Sequence, residues 1–341
     1  MLLVGISCPV LSRGDDVVTY LGGKGGKQTI RRTGQIEEYD GQGLVLVTPQ
    51  GRKETIPLEK LVDFQTTSSP EELSGDQLRS AGQLVEAVET YKKARRAEPR
   101  KWVGRRIATR LIDCYDGLGQ IDQAGEEFLA IVAVDAETPH FGSIPLAWRT
   151  PSLSGSGLAG PTTTRATKWL AATDQPTAAL LGASWLLGGA ERAKAIKVLK
   201  SLSSDLDPRI AHLATAQLWR TTLVTSTAAD AEKWQQQINR MPAELRAGPL
   251  LVHGDLLARI DRAEDALLAY LQVPLVYHDR QTLSGEGLLS AASVLEKLKR
   301  NDDAQRLYRE LLAKYPAFAK QHEVAARLRE PGNQGQADGN K

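Results

Sequence analysis

Apolar residues recur along this chain in a repeated register, in which an alanine precedes a bulky apolar residue by four positions. Successive alanines are separated by 37, 71, 71 and 38 residues, close to one, two, two and one units of about 36 residues. Residues four apart lie on one face of a helix. The pattern therefore predicts stacked helical hairpins, each too small to bury its apolar face alone. The five pairs are Ala87 and Tyr91, Ala124 and Phe128, Ala195 and Leu199, Ala266 and Tyr270, and Ala304 and Tyr308.

The first hairpin carries a family resemblance. Gly75 lies on its first helix, Gly82 ends that helix, and Ala87 and Tyr91 lie on the second helix. Pro99 stops the second helix because proline has no N–H to donate and its ring clashes with the preceding turn. A small residue, an aromatic residue four positions later and a proline eight positions after that resemble the tetratricopeptide repeat (TPR). The resemblance spans roughly residues 68 to 330 and implies an α-solenoid that binds partners in its groove.

Residues 15–66 follow a different period, with short runs of alternating apolar and polar residues. Alternation of this kind predicts β-strands, and Asp40-Gly41 and Gln50-Gly51 are turn signals between them. Five short strands favour a small curled domain that resembles SH3-like or Sm-like β-barrels. The fold class expected for the chain is therefore mainly α, an α-solenoid of TPR-like repeats preceded by a small all-β barrel-like domain.

The remaining boundaries follow from composition. Residues 1–14 are apolar with small residues near their end, which favours a signal peptide, and we expect export to the periplasm or cell envelope, with the cytoplasm as the alternative. TPR-like hairpins are expected over 67–139 and degenerate ones over 165–330. Between them, residues 140–164 are expected to form an irregular loop with a mobile tip from Ser152 to Gly160. This loop either docks as a cap over the groove of the solenoid or is an ordinary connection between two repeat units. The polar tail, 331–341, is expected to be disordered.

The net charge and the sequence motifs argue against several classes of function. The chain has 43 Lys and Arg against 41 Asp and Glu, a net charge of +2, whereas dedicated nucleic-acid binders carry a concentrated basic excess. No apolar run approaches the roughly 18 residues that span a bilayer. The glycine-rich stretch at residues 22–29 does not match the phosphate-binding loop of nucleotide-binding proteins. The first glycine of that motif would fall on Leu21, and Gln28 stands where the motif has Ser or Thr. The five histidines show no metal-ligand spacing. We expect no cofactor, no metal and no enzymatic activity.

The resemblance also implies which positions face the groove of the solenoid. Relatives that clamp a terminal carboxylate use lysine and asparagine there, whereas this chain offers carboxylates, so that activity is not carried over. An acidic groove favours a basic or amine-bearing partner. The implied positions are Glu72, Asp76, Arg79, Thr109, Asp113, Asp116, Leu251, Asp255, Arg259, Leu289, Ser293 and Lys297. Those taken as binding residues are Asp76, Arg79, Asp113, Asp116, Asp255 and Arg259.

The function expected from the sequence is that of a non-enzymatic, bacterial-type scaffold which binds an extended segment of another protein in the solenoid groove. One alternative is an RNA- or anionic-polymer-binding module, in which Arg31 and Arg32 of the β domain, beside Lys24 and Lys27, form a small basic patch. A second alternative is an enzyme with an unrecognised site where the barrel meets the solenoid. The sequence leaves the partner's identity and the oligomeric state open.

Overall fold

Residues 16–23, 28–149 and 160–328 are described by the structure, a computed structural model of the chain. The structure is 66% helical, with a five-stranded antiparallel sheet at its N-terminal end. The expected signal peptide and disordered tail lie outside the described residues, as do the glycine-rich positions 24–27 and, apart from residue 160, the expected mobile tip. Among the described helices, none is both long and apolar enough to cross a membrane.

The N-terminal strands form an open sheet, so the expectation of a closed barrel was wrong. The strand order is β4-β3-β2-β1-β5, and no ladder joins β4 to β5 in the described part of the sheet. A barrel closes only when its edge strands pair with each other. Here α3 covers the sheet instead, through an indole N–H of Trp102 that donates to the carbonyl of Ile36 at 3.2 Å. The strands are β1 (Asp16–Gly22), β2 (Gln28–Asp40), β3 (Gly43–Val47), β4 (Lys53–Ile56) and β5 (Leu61–Gln65).

Fifteen helices follow in the described residues, and most pack against the next one in the chain. The residues at several helix ends explain where those helices begin and end. Ser69 caps α1 by accepting from the amide of Glu72, with Pro70 in the first turn. Gly82 and Gly119 follow α1 and α3 with φ values of 76° and 70°, a backbone conformation that favours glycine. The helices are α1 (Pro70–Ser80), α2 (Leu84–Ala97), α3 (Lys101–Gly117), α4 (Ile121–Val134), α5 (Gly160–Ala171), α6 (Pro176–Leu186), α7 (Arg192–Leu202), α8 (Pro208–Thr222), α9 (Ala228–Arg240), α10 (Ala247–Arg259), α11 (Ala263–Val276), α12 (Gln281–Lys297), α13 (Asn301–Lys314), α14 (Pro316–Gln321) and α15 (Val324–Leu328).

The alanine register corresponds to buried positions on the second helix of each hairpin. All five alanines and their bulky partners are at most 3% exposed, and they lie on α2, α4, α7, α11 and α13. In two hairpins a tyrosine packs against a glycine of the first helix and donates its hydroxyl to the next aspartate, at 2.6 Å in one and 2.7 Å in the other. The two triplets are Gly75, Asp76 and Tyr91, and Gly254, Asp255 and Tyr270.

The N-terminal helices contact the C-terminal ones, because α3 packs against α12. Asp113 on α3 binds an Arg79 guanidinium N–H at 3.0 Å and accepts from the amide of Gln281, at the start of α12, also at 3.0 Å. The Arg79 guanidinium donates to the carbonyl of Asp279 at 3.1 Å. The hairpin register alone does not predict this contact, since it specifies neighbours along the chain only.

Two sequence-based expectations differ from the structure in this region. Glu72 was expected to face the groove, but its side chain is 0% exposed and is bound by the guanidinium groups of Arg106 and Arg110. A buried carboxylate needs such partners because desolvation of an unpaired charge is costly. Helix α5 begins at Gly160, inside the stretch expected to be irregular. Pro161 suits this start, since proline in the first helical turn removes an N–H that has no helical partner.

Candidate functional site

Residues 144–149, which we call the inner segment, are neither helix nor strand and run along α6, α8, α10 and α12. The Trp185 indole of α6 donates to the carbonyl of Pro145 at 2.8 Å. The amide of Ala147 donates to the Ser184 hydroxyl at 3.0 Å, and its carbonyl accepts from Gln217 of α8 at 2.9 Å. Residues 144–149 of the expected loop are therefore docked on the helices, and residues 150–159 lie outside the described residues. The helices bind the segment mainly through its backbone.

Trp148 anchors the inner segment to α10. Its side chain is 6% exposed and lies directly over Gly248, where a Cβ atom would overlap the indole ring. An indole is among the largest apolar surfaces that a side chain can bury. The absence of a side chain at Gly248 therefore creates the space that holds the segment in place.

Arg149 is the last residue of the inner segment, and its positive charge lies beside a group of carboxylates. Its guanidinium binds Asp255 at 2.6 Å, donates to the Ser290 hydroxyl, and lies 3.5 Å from Glu286 Oε2. It also lies over the ring of Tyr270, 5.6 Å from the ring centroid, a cation–π arrangement. This cluster joins the inner segment to α10, α11 and α12.

The inner segment and the surrounding helices line a central cavity of about 950 Å³ that is partly open to solvent. A cavity of this size lies in the range of roughly 300 to 1,000 Å³ typical of ligand sites, and it has the usual mixture of apolar walls and a few convergent polar groups. Its apolar walls include Leu146, Trp148, Trp185, Leu283, Leu289, Val294 and Phe318. Its polar and charged groups include Asp116, Arg149, Asp255, Arg259, Glu286, Ser290, Ser293, Lys297, His322 and Arg327.

Two carboxyl groups in this cavity titrate close to neutral pH. Burial, with smaller contributions from Asp116 and Asp255, raises the pKa of Glu286 to about 7 although Arg149 opposes the shift. Burial also raises the pKa of Asp116 to about 6, opposed by Arg280. Desolvation disfavours the charged form of a carboxyl, which is why both shifts are upward. Perturbed carboxyls inside a ligand-sized cavity mark a candidate functional site.

The raised pKa of Glu286 predicts how stability depends on pH. A folded-state pKa above the ordinary value of 4.5 lowers the free energy of unfolding as pH rises from about 4.5 to about 7. We expect Glu286→Gln to remove this loss, so that its effect at pH 8 is about 2 to 3 kcal/mol more stabilising than its effect at pH 5. Urea denaturation at the two pH values measures the difference.

The matched control for this prediction is Glu310→Gln. Glu310 lies on α13 and pairs with Lys314 at 2.7 Å on the surface, with 36% of its side chain exposed. Surface pairs of this kind contribute little, so the control should change stability equally little at both pH values. Equal effects of Glu286→Gln at pH 5 and pH 8 would contradict the assignment of a raised pKa.

The six residues predicted from the sequence to bind a partner are divided between two cavities. Asp116, Asp255 and Arg259 line the central cavity. Asp76, Arg79 and Asp113 line a second cavity of about 680 Å³. Most already have internal partners: the Tyr91 hydroxyl binds Asp76, Arg79 pairs with Asp113, and Arg259 donates to the carbonyl of Ser226. The six residues therefore do not line one common cavity among those of the described structure.

Sequence reasoning missed Arg149 and Glu286, two charged residues of the central cavity. Arg149 lies in the stretch that the sequence assigns to a loop, and Glu286 lies on α12, one position beyond a glycine that packs against Phe318. Neither belongs to a motif of fixed spacing. The one available signal was the apolar content of residues 141–148, which pointed to a docked loop without specifying its neighbours.

His140 is the perturbed histidine nearest to the sheet. Burial, with Arg105 and Arg106 as further causes, lowers its pKa to about 4, and its ring lies edge-on to Tyr39 at 5.7 Å. Its Nε2 has no hydrogen-bond partner in the described structure. Catalysis by such a histidine requires a nucleophile or an orienting carboxylate within hydrogen-bond reach, and the described side chains provide none. The same residues form no group of three His, Cys, Asp or Glu that could hold a metal ion.

Arg31 and Arg32 occupy consecutive positions of β2, opposite Thr19 and Val18 of β1. Consecutive side chains of a strand point to opposite faces of the sheet. Arg32 lies on the side of Tyr20, whose pKa it influences, so Arg31 points to the other side. The two guanidinium groups do not form one shared patch.

Comparison of the chain with protein-family models, with curated proteins and with solved structures finds no match in any of the three. The architecture agrees with a helical repeat region preceded by a small β domain. The more specific tetratricopeptide resemblance rests on the chain's own residues, chiefly the alanine register and the glycine–tyrosine–aspartate packing of its first and penultimate hairpins.

Proposed function

We propose that this chain is a non-enzymatic scaffold of the tetratricopeptide-like class, whose helical array binds a short extended segment of another protein in the central cavity. The observation that carries the proposal is the inner segment. The array already holds an irregular, non-helical stretch of its own chain through that stretch's backbone groups, and residues 146–149 of the stretch line the cavity.

The inner segment provides a template for how a partner would bind. Its backbone groups are bonded by side chains of α6 and α8, and the guanidinium of Arg220 donates to the carbonyl of Arg149 at 3.2 Å. Backbone recognition gives affinity for any extended segment, while pockets such as the one over Gly248 select individual side chains. Ser290 and Ser293 line the cavity on the α12 side, where the Ser290 hydroxyl accepts from Arg149 and the Ser293 hydroxyl donates to the carbonyl of Leu289.

The cavity's dimensions limit the length of the bound segment. A volume of about 950 Å³ is at the upper end of the usual range for small-ligand sites and is far smaller than a groove running the length of an array. The partner should therefore insert a few residues, such as a chain terminus or a protruding loop. This differs from the long groove implied by the resemblance alone.

The test is selection from a library of displayed hexapeptides with the full chain as bait. Peptides enriched from it are remade and titrated by calorimetry against the wild-type chain and against Ser293→Trp, which fills the cavity with an indole. We expect Ser293→Trp to weaken binding by about tenfold or more, because bulk in the cavity excludes the segment. Circular dichroism and thermal unfolding establish that the variant is folded.

The matched control is Ser201→Trp, which adds the same indole to an exposed position on α7. It should bind the selected peptides as the wild type does. Failure to enrich any peptide, or equal binding by Ser293→Trp and wild type, would overturn the proposal. Nucleic acid retained by the bait and lost on replacing Arg31 and Arg32 would favour the β-domain alternative instead.

A further inference from the structure

The central cavity contains a carboxylate that lacks a hydrogen-bond donor. Glu286 Oε2 is a buried atom with no hydrogen-bond partner in the described structure. Its ion-pair partner is Arg149, whose Nε lies 3.5 Å away, too far for a hydrogen bond of normal length, while the two terminal nitrogens of the guanidinium donate to Asp255 and Ser290. A buried oxygen that accepts no hydrogen bond costs free energy. In a cavity of ligand size, such an oxygen is a position at which an N–H group of a ligand can bind.

Asp116 reaches the same part of the cavity from the other end of the chain. It lies on α3 close to Thr282 of α12, whose side chain favours the charged form of the Asp116 carboxyl. Thr282 and Glu286 are four residues apart and therefore share one face of α12. Both carboxyl groups line the cavity, and the charge of Asp116 raises the pKa of Glu286. The contact between α3 and α12 thus creates a two-carboxylate position that neither half of the chain contains alone.

Several cations surround these two carboxyl groups, and most of them also contact other groups. Arg280 lies near Asp113 and Asp116 but is desolvated, which lowers its pKa. Arg220 on α8 contributes positive charge toward Glu286, yet its guanidinium is bonded to the carbonyls of Ser184 and Arg149 and to the Gln217 side chain. Lys297, Arg259 and Arg327 also line the cavity, on α12, α10 and α15.

We propose that the Glu286–Asp116 position binds a cationic nitrogen group of the inserted segment, the ammonium of a lysine or the guanidinium of an arginine. This inference rests on the proposed function, because it names the side chain that the inserted segment presents. A cation with several N–H donors satisfies Glu286 Oε2 and is attracted to both carboxylates, and hydrogen bonds between charged groups are stronger than those between neutral groups.

Protons compete with such a cation. Glu286, with a pKa of about 7, and Asp116, with a pKa of about 6, are charged at pH 8 and partly or largely neutral at pH 6. Burial lowers the pKa of Arg220 only to about 10, so this guanidinium stays charged across the range, and burial also lowers the pKa of His322. Arg149 and Arg280 favour the charged forms of Glu286 and Asp116, and Asp255 disfavours that of Glu286. Cation binding therefore strengthens as pH rises from 6 to 8.

The experiment uses N-acetyl-lysine amide as the probe and N-acetyl-norleucine amide as its neutral isostere. Each is titrated into the full chain at pH 8 and followed by nuclear magnetic resonance. We expect the lysine probe to bind at least about tenfold more tightly than the norleucine probe, to lose about tenfold in affinity in Glu286→Gln or Asp116→Asn, and to weaken at pH 6. Glu310→Gln should bind as the wild type does.

Equal affinity for the two probes, or no effect of Glu286→Gln, would overturn the cation site. The outcome is separable from the library selection. Enriched peptides without lysine or arginine would leave the scaffold proposal standing and remove this inference. A lysine probe that binds through Glu286 while no peptide is enriched would leave the cation site standing and remove the scaffold proposal.

Discussion

Replacement of Trp148 by alanine should lower the free energy of unfolding by about 3 to 5 kcal/mol, the usual loss for truncating a buried aromatic side chain. The indole is 6% exposed and fills the space over Gly248. It is also the main apolar anchor of the inner segment, so its loss releases Arg149 from Asp255 and Glu286. Urea denaturation of the variant and the wild type measures the effect.

Gly248 provides the matched test of this anchor. In the wild type, Gly248→Ala places a methyl group inside the indole ring and should destabilise the chain. In the Trp148→Ala background that clash is absent, and the substitution should stabilise the chain by up to about 1 kcal/mol because alanine is the better helix former. The double-mutant cycle thus predicts a reversal of sign. The same sign in both backgrounds would show that Trp148 does not occupy this space.

Local pattern was enough to predict the hairpins. The burial of the five alanines and their bulky partners depends only on helical periodicity and on packing between consecutive helices. Both can be recognised from short stretches of sequence. All of these residues are buried on the second helix of their hairpins. The alternation over residues 15–66 likewise predicted strands, because alternation reports which face of a strand is buried.

The candidate site could not be predicted in this way because its residues are far apart in the chain. Asp116, Arg149, Asp255 and Glu286 come from α3, the inner segment, α10 and α12. They meet because α3 packs on α12, and that contact depends on small rotations summed over many hairpins. Barrel closure failed as a prediction for a related reason, since strand count does not reveal that α3 covers the sheet through Trp102.

Asp113 tests whether that long-range contact builds the site. The sequence placed it among partner-binding residues, whereas its side chain is buried between Arg79 and the amide of Gln281, each at 3.0 Å. Asp113→Ala leaves a half-buried guanidinium without its carboxylate and a backbone N–H without its acceptor. Breaking a buried pair from one side typically costs about 3 to 5 kcal/mol, so we expect a loss of that size in the free energy of unfolding.

The contact itself is followed by hydrogen exchange at the Gln281 amide, which should be much faster in Asp113→Ala because its acceptor is gone. Glu126→Ala is the control, since Glu126 pairs with Arg165 at 2.9 Å with both side chains at least 42% exposed, and exposed pairs contribute at most about 1 kcal/mol. A small stability change with unaltered exchange at Gln281 would mean that Asp113 is free to bind a partner, as the sequence first indicated. A large change in both would make Asp113 a residue that closes α3 on α12, and the loss of ligand binding in that variant would then follow from the loss of the cavity.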